Sequence, residues 1–269
     1  MARHAMADPF EVGQMAAPVP AAQRVRGAKL GTTVVYQIVN QIVRGAYKPG
    51  SALPPEGELC EMFGVSRTVI RESIKVVQEK GLVQIEHGRG TQVTDARHWN
   101  LLDDTVLSAI VAHDSNLSFL DELVATRAAL EADMAAGAAG SHNTDDDQRM
   151  TEALDSMRSY LGRVPEFAAA DAHFHDMVMA VSRNRLGRAV VNRIHDKARQ
   201  SMRYHGEYND AVMLRTVEEH KAVLDAILAG DAQGAAAAMR VHILGSWSRR
   251  RPILEVESEP PPPPGRVRR

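Results

Sequence analysis

From residue 30 onward, apolar side chains recur at the three-and-four spacing of helices, with one short interruption. In "LGTTVVYQIVNQIVRGAYKPG", Val34, Val35, Ile38, Ile42 and Val43 fall on one face. Gly45 and then Lys48-Pro49-Gly50 stop the pattern, so a helix is predicted up to that point. "PPEGELCEMFG" opens with proline, carries acids in its first turn and closes on glycine, which predicts a short helix. "VSRTVIRESIKVVQEKG" offers Ser66 as N-cap, the stripe Val69, Ile70, Ile74 and Val77, and Gly81 as terminator. Two helices joined by the tight "FGVS" turn form a helix-turn-helix pattern. The interruption is "LVQIEHGRGTQV", which reads as strand, glycine-rich tip and strand: a hairpin wing.

"TDARHWNLLDD" reads as a linker anchored by Trp99 and followed by Asn100. Beyond it no strand pattern competes with the helical period. Helices are expected near 103–112, 117–140, 144–161, 165–182, 185–206, 210–229 and 231–250, with Pro165, Gly206 and Gly230 near the breaks. The fold class is therefore mainly α, an N-terminal winged helix-turn-helix followed by an all-α helical bundle. The expected boundaries are a tail over 1–27, a DNA-reading domain over 28–95, a linker over 96–102, a bundle over 103–251 and a Pro-rich tail over 252–269. The first tail is rich in Ala, Pro, Met and Gln without a period, and reads as disordered. The second, "ESEPPPPPGRVRR", cannot be helix and ends basic.

Composition adjusts this picture in three places. Aromatics make up only 4% of 269 residues while alanine is abundant, so the helical cores should pack small side chains. A formal net charge of −2 excludes a uniformly basic coating protein but leaves room for a local basic face. One cysteine, Cys60, cannot form an internal disulfide, which fits a reducing, cytoplasmic setting. No apolar run of about 18 residues predicts a membrane span, and the N-terminus has no secretory apolar region.

If the second helix of the pair enters a major groove, its N-terminal residues meet base edges. These are Ser66, Arg67, Thr68 and, one turn on, Arg71. Arg67 and Arg71 stand four apart on one face, and Lys75 continues that face. Arginine's forked donors suit guanine O6 and N7 or a phosphate. Residues 24–95 carry ten Lys/Arg against seven Asp/Glu, a mild basic excess. At the wing tip His87, Gly88 and Arg89 are placed for close backbone approach, with Arg89 able to enter a minor groove. Solvated arginines on an ordinary amphipathic helix are the plainer reading, and the ordered helix, helix-turn-helix and wing outweigh it.

The chemistry of the bundle centres on "ADAHFHDMVMA". On a helix, Asp171 and His175 are i and i+4 and share a face, whereas His173 points elsewhere, toward solvent. A carboxylate–imidazole hydrogen bond explains that pair as well as a metal does. His220, in "TVEEHKAVLDAILAGD", lies on the polar side of a helix striped by Val223, Leu224, Ile227 and Leu228. His242 stands among Met239, Val241, Ile243 and Leu244 and is expected to be buried, where it needs a partner. Three imidazoles and one carboxylate converging between helices would satisfy one another around a divalent cation. Zinc comes first, with Ni, Mn or Fe as alternatives. His113, His142, His195 and His205 read as surface or loop residues, with His195 the one nearest the bundle.

"LPPEGELCEMFGVSRTVIRESIKVVQEKGLVQIEHGRGTQV" closely resembles the winged helix-turn-helix of GntR-family bacterial transcription regulators, through "VSR-x-x-x-RE", "GL" and "GRGT-x-V". The resemblance implies that Arg67, Thr68, Arg71, His87 and Gly88 occupy DNA-contacting positions. The chain departs from it at Gly57, where many members carry arginine in "P-x-E-R-x-L". Residues 103–250 resemble the all-helical ligand-binding FCD domain of the FadR-type branch, through "ELVATRAALEADMAAGAA", "D-x-x-FH" followed by Asn184, and "EEH-x-x-x-x-x-AI-x-x-GD" leading to "M-x-x-H". In metal-binding members an Asp and three His at these positions hold the cation, which implies Asp171, His175, His220 and His242 here. "RHWNLLDDTVLSAI" is most similar to the sugar-acid regulators of that branch.

The resemblance also favours Arg127, in "ATRAALE", as a pocket arginine pairing with an anionic ligand. The plainer reading is a surface arginine snorkelling beside Leu123 and Leu130. Thr216, four residues before His220, could turn its hydroxyl to the same pocket. The expected protein is a homodimeric repressor of double-stranded operator DNA, not an enzyme. A small carboxylate or sugar acid at the metal would modulate it. Two rivals remain open: a metal-free effector pocket, and a metal-dependent hydrolase, against which stands the lack of an H-E-x-x-H motif.

Overall fold

The computed structural model describes residues 21–201, 204 and 209–252, and divides into two compact units between Trp99 and Asn100. Most of the two tails, and His205, lie outside the described residues. The first unit runs α1 (Ala21–Val43), α2 (Glu56–Phe63), α3 (Arg67–Glu79), β1 (Val83–Glu86), β2 (Gly90–Val93) and a short 3-10 turn (Ala96–His98). α1 starts at Ala21, so the last seven residues of the expected tail are helical. Ala-Ala-Gln-Arg-Val-Arg is made largely of good helix formers, and intrinsic propensity needs no apolar period.

α1 packs on α3 through Ile38, Val39, Ile42, Ile70, Ile74 and Val77, each at most 5% exposed. Full burial of such a side chain contributes about 1.5–3 kcal/mol. The turn between α2 and α3 is fixed from both sides. Gly64 closes α2 in the left-handed conformation, φ 63°, and donates its N–H to Cys60 O. Ser66 then caps α3 by accepting from Val69 N. At the other end of α3, Gly81 has φ +81°, and a Cβ there would lie 2.1 Å from His98 O. Only glycine fits, and the chain turns straight into β1. β1 and β2 pair antiparallel with Val83 opposite Val93 and Glu86 opposite Gly90.

The second unit contains α4 (Asp104–His113), α5 (Ser118–Ala139), α6 (Thr144–Ser159), α7 (Val164–Val181), α8 (Arg185–Gln200), α9 (Asp210–Leu228) and α10 (Ala232–Arg250). Asp103, Asn143, Asn184, Asn209 and Asp231 cap α4, α6, α8, α9 and α10 by accepting backbone N–H groups, which is why the breaks fall at these side chains. α8 ends six residues earlier than the periodicity suggests, where Ser201 adopts extended backbone.

α5 is the central helix. It packs against α7, α8, α9 and α10, and Ala128, Ala132, Ala135, Ala138 and Ala139 are buried along it. Small side chains let neighbouring helices approach closely, and this accounts for the alanine-rich, aromatic-poor composition. Phe167 and Phe174 fill the wider gaps and are fully buried.

Candidate functional site

Two surfaces carry the candidate chemistry, one in each unit. In the first, Ser66, Arg67, Thr68, Arg71 and Lys75 are all exposed along α3, and His87, Gly88 and Arg89 are exposed at the wing tip. Arg71 donates through Nε to both carboxylate oxygens of Glu56, at 3.0 and 2.9 Å. Using Nε alone leaves the two terminal amino groups of the fork for a base or phosphate. Lys75 pairs with Glu72 and Arg89 with Glu86, both at 2.8 Å. Such exposed pairs are worth about 0–1 kcal/mol, so a phosphate can displace them. A Cβ on Gly57 would meet no atom within 4 Å. Packing therefore does not require glycine there, and the missing arginine is a loss of side chain only.

In the second unit α7, α9 and α10 bring Asp171, His175, His220 and His242 together, with one ligand atom from each lying within 4.8 Å of all the others. The three histidines are at most 3% exposed. His175 Nε2 is 3.1 Å from His220 Nε2 and 3.2 Å from His242 Nε2, and His220 Nε2 is 3.7 Å from Asp171 Oδ1. His173 is exposed, as its helical position predicts. His220 corrects the reading from sequence. It sits on the buried face of α9 with Met213, Val217, Val223 and Leu224, against the Phe174 ring at 4.6 Å between centroids. The polar side of α9 is narrower than its glutamates suggest. The simple Asp171–His175 hydrogen bond is also superseded, because both ring nitrogens of His175 are engaged elsewhere.

The engagement of His175 Nδ1 is with Glu131, a fully buried carboxylate on α5. The other oxygen of Glu131 accepts from Arg127 Nε. Burial would raise the Glu131 carboxyl, but the Arg127 charge and the hydrogen bonds from His175 and Arg127 hold it well below the usual carboxylate range. Arg127 is 5% exposed and does not snorkel. Its Nη1 donates to Tyr204 Oη at 3.1 Å and lies 3.2 Å from His195 Nε2. Burial and the Arg127 charge push the His195 ring well below its ordinary value, so it is neutral and accepts this bond. His195 is thus not a bland surface residue. Among the described residues, Arg127 Nη2 is buried without a hydrogen-bond partner. Arg127 lines a cleft shared with Leu123, Val124, Ile194, His195, Ala198 and Tyr204.

Thr216 is buried, but its hydroxyl donates to Val212 O at 2.9 Å. Its proton is committed to its own helix, and only an acceptor lone pair is left for a ligand. His142 is half-buried and paired with Asp147 at 2.6 Å, whereas His113 is exposed at the end of α4. Burial, the largest cause, pushes the His220 ring well below its ordinary value. Burial also lowers His242, although Glu219 partly offsets it. Both rings are therefore biased toward neutral imidazole, the form that binds metals.

The residues missed from sequence are Glu131, Glu219, Tyr204 and His195. Glu131 had a legible signal, an acid four residues after an arginine within an apolar stripe. Tyr204 and His195 meet Arg127 from 77 and 68 residues away, and only tertiary folding brings them there.

Comparison with known proteins gives matches for both units. Residues 30–93 match the family described as bacterial regulatory proteins, gntR family, and residues 122–245 match the FCD domain. The galactonate operon transcriptional repressor of Escherichia coli (strain K12) is 31% identical over 220 residues, covering 82% of this chain and 96% of its own. The Uxu operon transcriptional regulator of the same strain is 29% identical, covering 75% of this chain and 79% of its own. A solved structure of Lar, which controls expression of the Listeria monocytogenes agr system, aligns with a TM-score of 0.52 at 16% identity. It covers 82% of this chain and 96% of Lar, a likeness of fold alone.

Proposed function

The chain belongs to the gntR family of bacterial regulatory proteins and is a transcription regulator with an FCD domain, not an enzyme; from that premise we propose how it senses and what it senses. It binds a palindromic operator as a homodimer through Arg67, Arg71 and the wing. It responds to a small organic acid, a sugar acid, held at a divalent metal on Asp171, His175, His220 and His242. The observation that carries this reading is the convergence of three buried imidazoles, with His175 Nε2 lying 3.1 Å from His220 Nε2 and 3.2 Å from His242 Nε2. Bonds of about 2.0–2.1 Å from one zinc place neighbouring ligand nitrogens about 3 Å apart. Four protein ligands leave room for a carboxylate, whose charge the cation neutralises.

Arg127 supports the second contact. A buried guanidinium with one unpartnered amino group is a ready anion donor. The adjoining cleft has a cavity volume of only about 10 Å³, far below the roughly 300 Å³ at which ligand pockets begin. A sugar acid therefore enters only when the cleft's walls part. That coupling is what a sensor requires, since only a ligand with different affinities for two states shifts their populations. Relief of repression is the sign that fits, because the galactonate operon relative is named a repressor.

Two measurements test the site. Elemental analysis of untagged wild-type protein is expected to give about one zinc-class ion per chain, and His220→Ala less than a tenth of that. Equal metal in both proteins refutes the site. In a thermal-shift series of metal-loaded protein with galactonate and other sugar acids, one acid is expected to raise Tm. At a hundredfold excess over Kd the stabilisation is about 2.7 kcal/mol, or roughly 5–10 °C for a unit of this size. Absence of any shift across the series, with metal bound, removes the sugar-acid reading and leaves the metal site standing.

A further inference from the structure

Two carboxylates outside the ligand set stand behind two of the three histidines. Glu131 accepts from His175 Nδ1, and Glu219 accepts from His242 Nδ1 at 3.0 Å. Each carboxylate is itself gripped by arginine. Arg127 donates to Glu131. Arg249 donates a two-pronged fork to Glu219 at 2.9 and 2.8 Å, and Arg215 adds a third bond at 3.0 Å. An ionised carboxylate only accepts, so the ring proton of each histidine must sit on Nδ1. Nε2 of His175 and Nε2 of His242 then carry lone pairs, yet they face one another at 3.2 Å. Lone pair against lone pair is repulsive unless an electrophile lies between or beside them. His220 differs, because among the described residues its Nδ1 is buried with no partner. Its proton can occupy Nε2 and relieve one contact in the metal-free protein, but not the contact between His175 and His242.

We infer that Glu131 and Glu219 are the positioning residues of the cluster, each fixing one histidine in the tautomer whose Nε2 lone pair points at the shared centre, and each held in register by an arginine. This rests on the metal reading above and extends it to residues that touch neither the metal nor the operator. It also gives the three arginines different duties. Arg249 and Arg215 serve only Glu219, whereas Arg127 connects the candidate anion cleft through Glu131 to a metal ligand. Carboxylate partners of metal-bound histidine typically account for 10–100-fold in metal affinity.

The test uses the full chain stripped with chelator and titrated with Co²⁺, with the cobalt d–d bands reporting the ligand set. Glu131→Gln and Glu219→Gln are expected to weaken Co²⁺ binding 10–100-fold while leaving the bands of the loaded protein in place, whereas His220→Ala loses or displaces them. Unchanged affinity in both glutamine variants overturns the proposal. So do displaced bands in either one, which would make that glutamate a ligand. Long-range ¹⁵N spectra of the metal-free protein give a second readout that does not depend on cobalt, and Glu219, less buried than Glu131, is the variant suited to it. His175 and His242 are expected as Nδ1–H tautomers in the wild type, with His242 becoming a mixture in Glu219→Gln. Nε2–H at either residue in the wild type overturns the assignment. Wild-type protein with these tautomers but no cobalt uptake would sink the metal reading and uphold the tautomer assignment.

Discussion

Replacing Arg67 and Arg71 together by alanine is expected to abolish specific operator retention while leaving the fold and the metal content unchanged. Both side chains are exposed on α3, and the pairing of Arg71 with Glu56 is itself exposed, so their loss costs little stability. On DNA they act differently. A bidentate arginine–guanine pair is worth about 1–3 kcal/mol of discrimination, so two such losses weaken the complex by roughly 10²-fold or more. The probe is a duplex recovered from a random pool by the wild-type protein, since the operator is to be found by selection. Gel retention near physiological salt is the measurement, because phosphate contacts vary steeply with ionic strength. Wild-type-like retention by the double variant rules out this face of α3 as the reader. A uniform loss on all sequences, with discrimination intact, reassigns both arginines to phosphate.

The DNA-reading unit was legible almost residue by residue because its signals are local. Gly64 and Ser66 announce the turn, and the α3 stripe of Ile70, Ile74 and Val77 is the buried face. The four candidate metal ligands were legible for a different reason: their motif spacing within a recognisable domain named them before any packing was visible. Sequence reading failed where one residue's neighbours lie far along the chain. His220 looked polar because Glu218 and Glu219 precede it, yet a single helical face can hold Met213, Thr216, Val217 and His220 inside while Glu218 remains outside. Thr216 looked available because of its place on that face, but a buried threonine in a helix satisfies its own proton on the preceding turn. Arg127 was visible and its burial was not, since that depends on Glu131, Tyr204 and His195 closing around it.

Glu131→Leu is expected to destabilise the helical unit by about 3–5 kcal/mol, the usual cost of leaving one member of a buried ion pair without its partner. Glu131 is 0% and Arg127 5% exposed, so the orphaned guanidinium has no water to turn to. Its remaining contacts are Tyr204 and the neutral His195. In thermal unfolding this corresponds to a fall in Tm of roughly 6–20 °C for a unit of this size. The double variant Arg127→Leu/Glu131→Leu is expected to recover most of that loss. Exchanging a buried pair for well-packed apolar side chains is often neutral or better, and what persists is about 1–3 kcal/mol for the unaccepted Nδ1 proton of His175. Equal instability of single and double variants would show that the two charges do not depend on each other and would break the link from Arg127 to His175. If the double variant is stable yet its Tm no longer responds to the acid that stabilises the wild type, the pair is kept for sensing. A buried ion pair that packing could replace is then explained by its position between the anion cleft and a metal ligand.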